Sequence, residues 1–545
     1  MKKGLIYVSL FILLVSSACK RQNRRLFAKK IVPSTEAVAD ESVPVRDYSI
    51  TKENAYNDLF LDSLSFDSFL KENVTEDSIS ENMLDFYNVR NFQFAWFDSK
   101  GLTEQALGFR SLYKYKTDSI NKQLDTKLDA LLQRESTINP KDPSIVKIEL
   151  QLTKRFVEYS LSTFRETDLN HKHFETFIPV EKQPVLYLAD SILSDRNKED
   201  EKYAFINPYY HGLKDQLQKF LSIQKKGGWD TIPVSKTKWI AGKEYPEMRL
   251  LKKRLAITGE LKVIDTTAMF TPELVEAIKK FQSSQGITSD GKITGAVIRN
   301  LNVPVINRIQ QLIINMERMR WMPVNKEGKL ILVNIPEFML HITEGDKHVM
   351  HMAVVVGKEG HNTTMFSDDL TNIVFSPYWN VPPSIVRKEI LPAMERNRNY
   401  LAKNHMEIVR YSNGLPEIRQ LPGANNSLGR VKFLFPNSFN IYFHDTPAKS
   451  LFEKDARAYS HGCIRLSDAV KMANYLLADA PEWTPEKIEE AMNKTTEKWV
   501  VLKQSIPVII TYYTAWVDEN GLLNFRDDIY KNDTEVAAKM FSDAK

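Results

Sequence analysis

Tyr442-Phe443-His444-Asp445-Thr446 and, after a gap, Tyr459-Ser460-His461-Gly462-Cys463-Ile464-Arg465-Leu466 hold two of the ten histidines and the only cysteine besides Cys19. His444 and Cys463 are 19 residues apart, too far for one helical turn but within reach of a strand end facing a returning loop. A free thiol has a pKa of ~8.5 and is mostly protonated at neutral pH. An imidazole within hydrogen-bond reach takes that proton and stabilises the thiolate. Either a backbone carbonyl or the carboxylate of Asp445 can then fix the imidazole tautomer. Gly462 beside the nucleophile lets the backbone turn tightly and aim N–H groups at a developing oxyanion. These residue types point to acyl transfer. Read as zinc ligands, His444, His461 and Cys463 lack a fourth partner at a familiar interval.

Outward from this stretch, short β-branched runs at 330–335, 338–342, 351–356, 373–375 and 440–443 are separated by turns, with Glu344-Gly345-Asp346-Lys347 as a hairpin signal. They predict a mostly-β catalytic domain over 328–505, with His341, His348 and His351 as structural residues on its strands. The charged, helical-looking run at about 385–420 predicts a lid insertion over a cleft. Ser467 is the expected cap of a helix reaching about Ala478, and residues 506–545 form a C-terminal extension.

Toward the N-terminus, 304–327 reads as a linker helix with Ile306, Ile309, Ile313 and Met316 on one face. Residues 247–303 form a small helical module. Thr271 caps a helix with Pro272 at its first position, Leu274, Ile278 and Phe281 share a face, and Gly286 stops it. A second short helix follows the Asp290-Gly291 turn. Residues 56–246 read as an α-helical scaffold, with helical periodicity over 120–132 and 145–164 and aromatic clusters at Phe86-Tyr87 and Phe92-Gln93-Phe94-Ala95-Trp96-Phe97. His171 and His173 are expected at its surface. The fold class expected is multidomain α+β.

Residues 1–19 have the form of a secretory signal: Lys2 and Lys3, an apolar core, then Ser16-Ser17-Ala18 before Cys19. This resembles a bacterial lipoprotein signal, which implies lipidation of Cys19, although Ser16 stands where such motifs usually carry Leu. Cys463 is then the sole thiol of the mature chain, and a lone cysteine in an oxidising compartment is either a buried hydrophobe or a reactive thiol. Residues 20–55, basic at first, form a flexible tether that is either attracted to an anionic membrane surface or simply solvated. A net charge of +5 with 43% hydrophobic residues gives no warrant for nucleic-acid binding.

The run 274–294 resembles the peptidoglycan-binding module of cell-wall enzymes. His444 followed by Ser460-His461-Gly462-Cys463-Ile464-Arg465 resembles the signature of the L,D-transpeptidases. Val354-Val355-Val356-Gly357-Lys358, Ser376-Pro377-Tyr378-Trp379-Asn380-Val381-Pro382-Pro383-Ser384, Leu421-Pro422-Gly423, Asn426, Leu428-Gly429 and Lys432 fit the large subgroup with a scaffold domain, a wall-binding module and a capping insertion. The resemblance implies Cys463 as nucleophile and His444 as base, with His461, Gly462, Ser460, Arg465 and Asp445 in support. Arg465 would hold the loop or meet a substrate carboxylate, and Tyr442, Trp379 and Asn380 would line the cleft. It further implies stem peptides of peptidoglycan as donor and acceptor, carbapenem-type inhibitors, and no metal or cofactor. The implied location is a lipid-anchored, periplasm-facing site at the outer membrane.

Overall fold

The computed structural model describes residues 45–116, 122–132, 137–164, 169, 171–194, 209–234, 238–322 and 328–542. Cys19, the signal segment and most of the tether lie outside them. The architecture is multidomain α+β, helical in the N-terminal part and mostly β in the C-terminal part.

Alternating apolar residues from 329 onward build the strands β1 (Lys329–Asn334), β2 (Met339–Glu344), β3 (Lys347–Gly357) and β4 (Phe366–Phe375). The lid insertion follows with β5 (Trp379–Asn380), β6 (Met406–Ser412) and β7 (Leu415–Gln420). After it come β8 (Val431–Leu434), β9 (Phe443–His444), β10 (Ala458–Ser460), β11 (Ile464–Leu466) and β12 (Lys498–Thr511). The main sheet has the order β10-β3-β11-β9-β8-β4-β12-β1-β2, and β2 also pairs with β3, so the sheet closes on itself. Its enclosed face carries Ile331, Val333, Val354, Ile373, Phe433, Phe443, Ile464 and Val508, all fully buried. Burying one such side chain is worth about 2 kcal/mol, so this face fixes the register that places the other.

Four expectations about the sheet domain and the helix leading into it need correction. The lid is not helical throughout: short helical turns over 383–403 are followed by β6 and β7, which with β5 form a three-stranded sheet around Val381, Val386, Ile390 and Ile418. A boundary at 505 would cut β12, which runs between β4 and β1. The helix after Cys463, Ala469–Leu476, is capped by Asp468, whose carboxylate accepts from the Lys471 N–H, and not by Ser467. The helix Val305–Arg320 is no mere linker, because Ile309, Leu312, Ile313 and Met316 lie inside the core of the helical domain.

That helical core is built from the aromatics singled out in the sequence. Phe94, Trp96 and Phe97 are fully buried, and Trp96 meets Phe156 edge-on at 5.5 Å. Glu149 sits among them, accepting from the Ala95 N–H at 2.7 Å, the Trp96 N–H at 3.0 Å and the Tyr87 hydroxyl at 3.1 Å. His173, expected at the surface, is buried and packs edge-on against Phe164 at 4.6 Å. The C-terminal segment returns to this core: Tyr513, Ala515, Phe525, Val536, Met540 and Phe541 all belong to it. The strand Phe541–Ser542 then pairs in parallel with Gln183–Pro184.

The small module has three helices, Glu247–Thr258, Pro272–Ser284 and Gly295–Leu301. Thr271 caps the second, as its spacing predicts, accepting from the Leu274 N–H. The module begins earlier than 247, since Ile232 is part of its core and exchanges two hydrogen bonds with the side chain of Asn302.

Candidate active site

β9 and β11 are parallel neighbours, with Phe443 opposite Ile464 and His444 opposite Arg465. Alternation along a strand turns successive side chains to opposite faces. Phe443 and Ile464 therefore go into the enclosed core, and Tyr442, His444, Cys463 and Arg465 share the other face. The Ile464 N–H donates to the Tyr442 carbonyl at 3.1 Å, which sets Cys463 beside Tyr442.

Cys463 is half-buried. Its thiol donates to the Asn440 carbonyl at 3.5 Å. Burial pushes the thiol up, and the neighbouring Tyr442 and then the Arg465 charge pull the other way. The sequence reading gave Tyr442 only a lining role; it also acts on the thiol.

His444 is buried, and its Nδ1 lies 2.5 Å from the Asp445 carbonyl. A carbonyl only accepts, so Nδ1 carries the proton and Nε2 keeps the basic lone pair. Burial, and then the Arg465 guanidinium, push the imidazole down to about 4. The Asp445 side chain is occupied elsewhere. It accepts from the Arg430 N–H at 3.0 Å and from Lys449 Nζ at 2.7 Å. Of the two ways to fix the tautomer, the backbone carbonyl is the one used.

The Cys463 loop is held from both sides. The Ser460 hydroxyl donates to the Cys463 carbonyl at 2.6 Å and accepts the Gly462 N–H at 3.1 Å. Gly462 has φ +114°, where a side chain would strain the turn. Its N–H is thus taken, which corrects the expectation of two backbone donors aimed at an oxyanion. The Cys463 N–H makes no hydrogen bond among the described residues and remains as a donor. The Thr363 hydroxyl donates to the Gly462 carbonyl at 2.8 Å, and Tyr530, from the C-terminal segment, donates to the Gly357 carbonyl at 2.5 Å. No sequence signal marks Thr363 or Tyr530, because their partners are backbone groups distant in the chain.

The remaining residues divide. His461 Nε2 meets Glu389 of the lid at 3.0 Å and packs against the His361 ring at 5.0 Å. Arg465 makes no hydrogen bond to the loop, and its buried Nε has no partner among the described residues. Trp379 packs into the lid core and Asn380 is exposed opposite Arg419, so both sit at the root of the lid. No group of three or more His, Cys, Asp or Glu among the described residues is arranged to hold a metal ion.

The closed sheet thus carries a thiol loop and an imidazole on one face. Residues 328–507 match the L,D-transpeptidase catalytic domain, 81–217 the scaffold domain and 244–301 the family described as "Putative peptidoglycan binding domain". The chain therefore carries an L,D-transpeptidase catalytic domain together with a scaffold and a peptidoglycan-binding domain. A curated protein of Haemophilus influenzae named "Putative L,D-transpeptidase" is 30% identical over 246 residues, covering 42% of this chain and 49% of that protein. The chain thus spans about half the length of that relative. Among solved structures, an L,D-transpeptidase from Xylanimonas cellulosilytica is 13% identical, covering 51% of this chain and 100% of that one at a TM-score of 0.17. An L,D-transpeptidase in complex with imipenem is 12% identical, covering 34% and 59% at a TM-score of 0.19.

Proposed function

We propose that the protein is a cysteine-dependent peptidoglycan L,D-transpeptidase. The observation that carries the reading is the shared face of Tyr442, His444, Cys463 and Arg465 inside a domain of that family. In the first half-reaction the Cys463 sulfur attacks the carbonyl of the third residue of a stem tetrapeptide, and His444 Nε2 takes the thiol proton. The oxyanion is held by the Cys463 N–H, a contact of a kind worth about 3 kcal/mol of barrier. The intermediate collapses, His444 returns the proton to the departing amine, D-Ala leaves and a thioester remains. In the second half-reaction the side-chain amine of another stem attacks the thioester and loses its proton to His444, which returns it to the sulfur. The product is a 3→3 cross-link. Every proton moves between groups of the chain and the substrates, so the route calls for no cofactor.

The module at 244–301 fits retention on the polymer, and a lipid on Cys19 would hold the enzyme on the periplasmic face of the outer membrane. The strained carbonyl of a carbapenem would acylate the same thiol. Water or a protein amine as acceptor would turn the activity into an L,D-carboxypeptidase or an anchoring reaction. A non-catalytic wall-binding lipoprotein would need no thiol at all.

The test is incubation with tetrapeptide muropeptides, comparing wild type with Cys463→Ala by mass spectrometry. Dimers and free D-Ala are expected from wild type alone. Free D-Ala without dimers would favour water as acceptor, and dimers made by Cys463→Ala would end the thiol mechanism.

A further inference from the structure

The row of cross-strand partners through His444 runs further than the proposed mechanism uses. Lys432 on β8 is opposite His444 on one side, and Arg465 on β11 is opposite it on the other. Lys432 is also opposite Val374 of β4, which in turn is opposite Trp499 of β12. Directly opposed residues in a sheet share a face. Arg465, His444, Lys432, Val374 and Trp499 therefore form one line across the cleft side, and Phe433, Phe443 and Ile464 point into the core behind it.

Both cations in this line lack an anion. The buried Nε of Arg465 has no hydrogen-bond partner among the described residues. Lys432 Nζ makes no hydrogen bond or ion pair there either, and its recorded contact is the Trp499 ring, 5.6 Å away. Elsewhere the protein gives its buried cations hydrogen-bond partners: carboxylates for Arg318 and Lys252, neutral oxygens for Arg90, Arg254 and Arg308. Arg318 meets Glu104 at 2.8 Å and Asp533 at 2.5 Å, and Lys252 meets Asp265 at 2.5 Å. The acid that acts on Lys432 is Glu497, which is tied to the Trp499 indole N–H at 2.8 Å and does not reach ion-pair distance. Burial lowers the pKa of both cations, the cost of charge without a partner. Both residues are half-buried, and two partly desolvated, unpaired cations flanking one imidazole favour an anionic ligand.

We propose that Lys432 and Arg465 form a two-point carboxylate cradle in which Lys432 binds a carboxylate on the retained, acyl side of the peptide and Arg465 one on its leaving side. Two interstrand steps separate them, roughly 10 Å at about 4.8 Å each. An extended peptide covers that distance in about three residues. The ligand class is a peptide with a free C-terminal carboxylate and a second carboxylate about three residues before it. Arg465, two positions beyond Cys463, takes the terminal one. The exposed Trp499 ring covers Lys432 from the open side. The identification of this ligand as a stem peptide rests on the function proposed above; the cradle itself does not.

The experiment uses the full-length Cys463→Ala protein, so that nothing turns over, and calorimetric binding of a stem tetrapeptide against the analogue amidated at the inner carboxylate. A hydrogen-bonded charge pair predicts about tenfold to hundredfold weaker binding of the amide. Adding Lys432→Met should weaken the acid peptide by the same factor and leave the amide unchanged, and Lys432→Arg should restore the preference. Equal binding of acid and amide by Cys463→Ala overturns the proposal even if Lys432→Met fails to fold. Equal loss for both peptides on Lys432→Met, or no binding of either, overturns it as well. Mass spectrometry of wild type with the same tetrapeptide reads the function separately. Carboxylate-dependent binding without an acyl-enzyme would sink the transpeptidase and keep the cradle, and an acyl-enzyme with carboxylate-blind binding would do the reverse.

Discussion

His444 owes its chemistry to burial first and to the Arg465 charge beside it second. Burial and the neighbouring Arg465 bring it down to about 4, so it stays neutral and able to accept a proton far below the usual imidazole range. The acid limb of the rate of Cys463 acylation should therefore fall near pH 4, not near pH 6.5, as read from kcat/KM against pH. The same shift acts on stability. The unfolded chain binds a proton at this site between about pH 6.5 and 4 and the folded one does not, so this group weakens the fold as pH falls through that window. Tyr442 acts on the other partner. Tyr442→Phe removes a hydroxyl that pulls the thiol down, and the thiol should titrate higher still, with alkylation by iodoacetamide slowed about tenfold at neutral pH. An unchanged alkylation profile would remove Tyr442 from the thiolate's surroundings. That His444 and Cys463 come to one face was legible in the sequence, because a strand end facing a returning loop is the arrangement their spacing allows. The engaged Gly462 N–H was not, because its acceptor, the Ser460 hydroxyl, gives no sign in one dimension of which way it turns.

Among elements, the nucleophile loop depends on Ser460, which bonds to both Cys463 and Gly462. Ser460→Ala leaves two backbone groups without this partner, at about 1 kcal/mol or more each. The acylation rate should fall more than the melting temperature, which parallel kinetics and calorimetry would separate. The lid contact between His461 and Glu389 is half-exposed, and such pairs contribute well under ~1 kcal/mol. Glu389→Gln should leave the thermal midpoint within a degree or two, with any effect confined to amide exchange over 386–403. β6 escaped the sequence reading because it has so little buried face, with Val409, Arg410 and Tyr411 all exposed. β7 alternates in burial, but it turns Pro416 and Gln420 inward beside Ile418, so its apolar pattern is weak. The Thr271 cap was legible because its partner is three residues away. The cap at Asp468 was missed in favour of its neighbour Ser467, since both residue types cap and only backbone geometry chooses.

For the whole molecule, the helical part and the sheet are held together by a segment that the sequence presents as a tail. Removing residues 512–545 would strip Phe525, Val536, Met540 and Phe541 from the helical core. Each large buried side chain is worth about 2–5 kcal/mol, and the sum for these four is comparable to the whole stability of an ordinary domain, about 5–15 kcal/mol. The truncated protein should show no cooperative unfolding transition by calorimetry. A separate expectation concerns Cys19: Cys19→Ser should abolish labelling by an alkyne fatty acid and release the protein from the membrane fraction. Labelling that persists would point to another anchor. The tail's role was hidden because the positions it fills lie hundreds of residues upstream, and its short apolar runs resemble any surface hairpin.

The placement of β12 bears on when, as well as where, the thiol becomes competent. Val508 pairs with Ile331 and with Asp368, so the strand joining two sides of the sheet is among the last to be synthesised. Pairings this distant in sequence form slowly. Cys463 therefore exists for a time in a chain whose sheet has not closed, and its surroundings are complete only once β12 has paired with both neighbours.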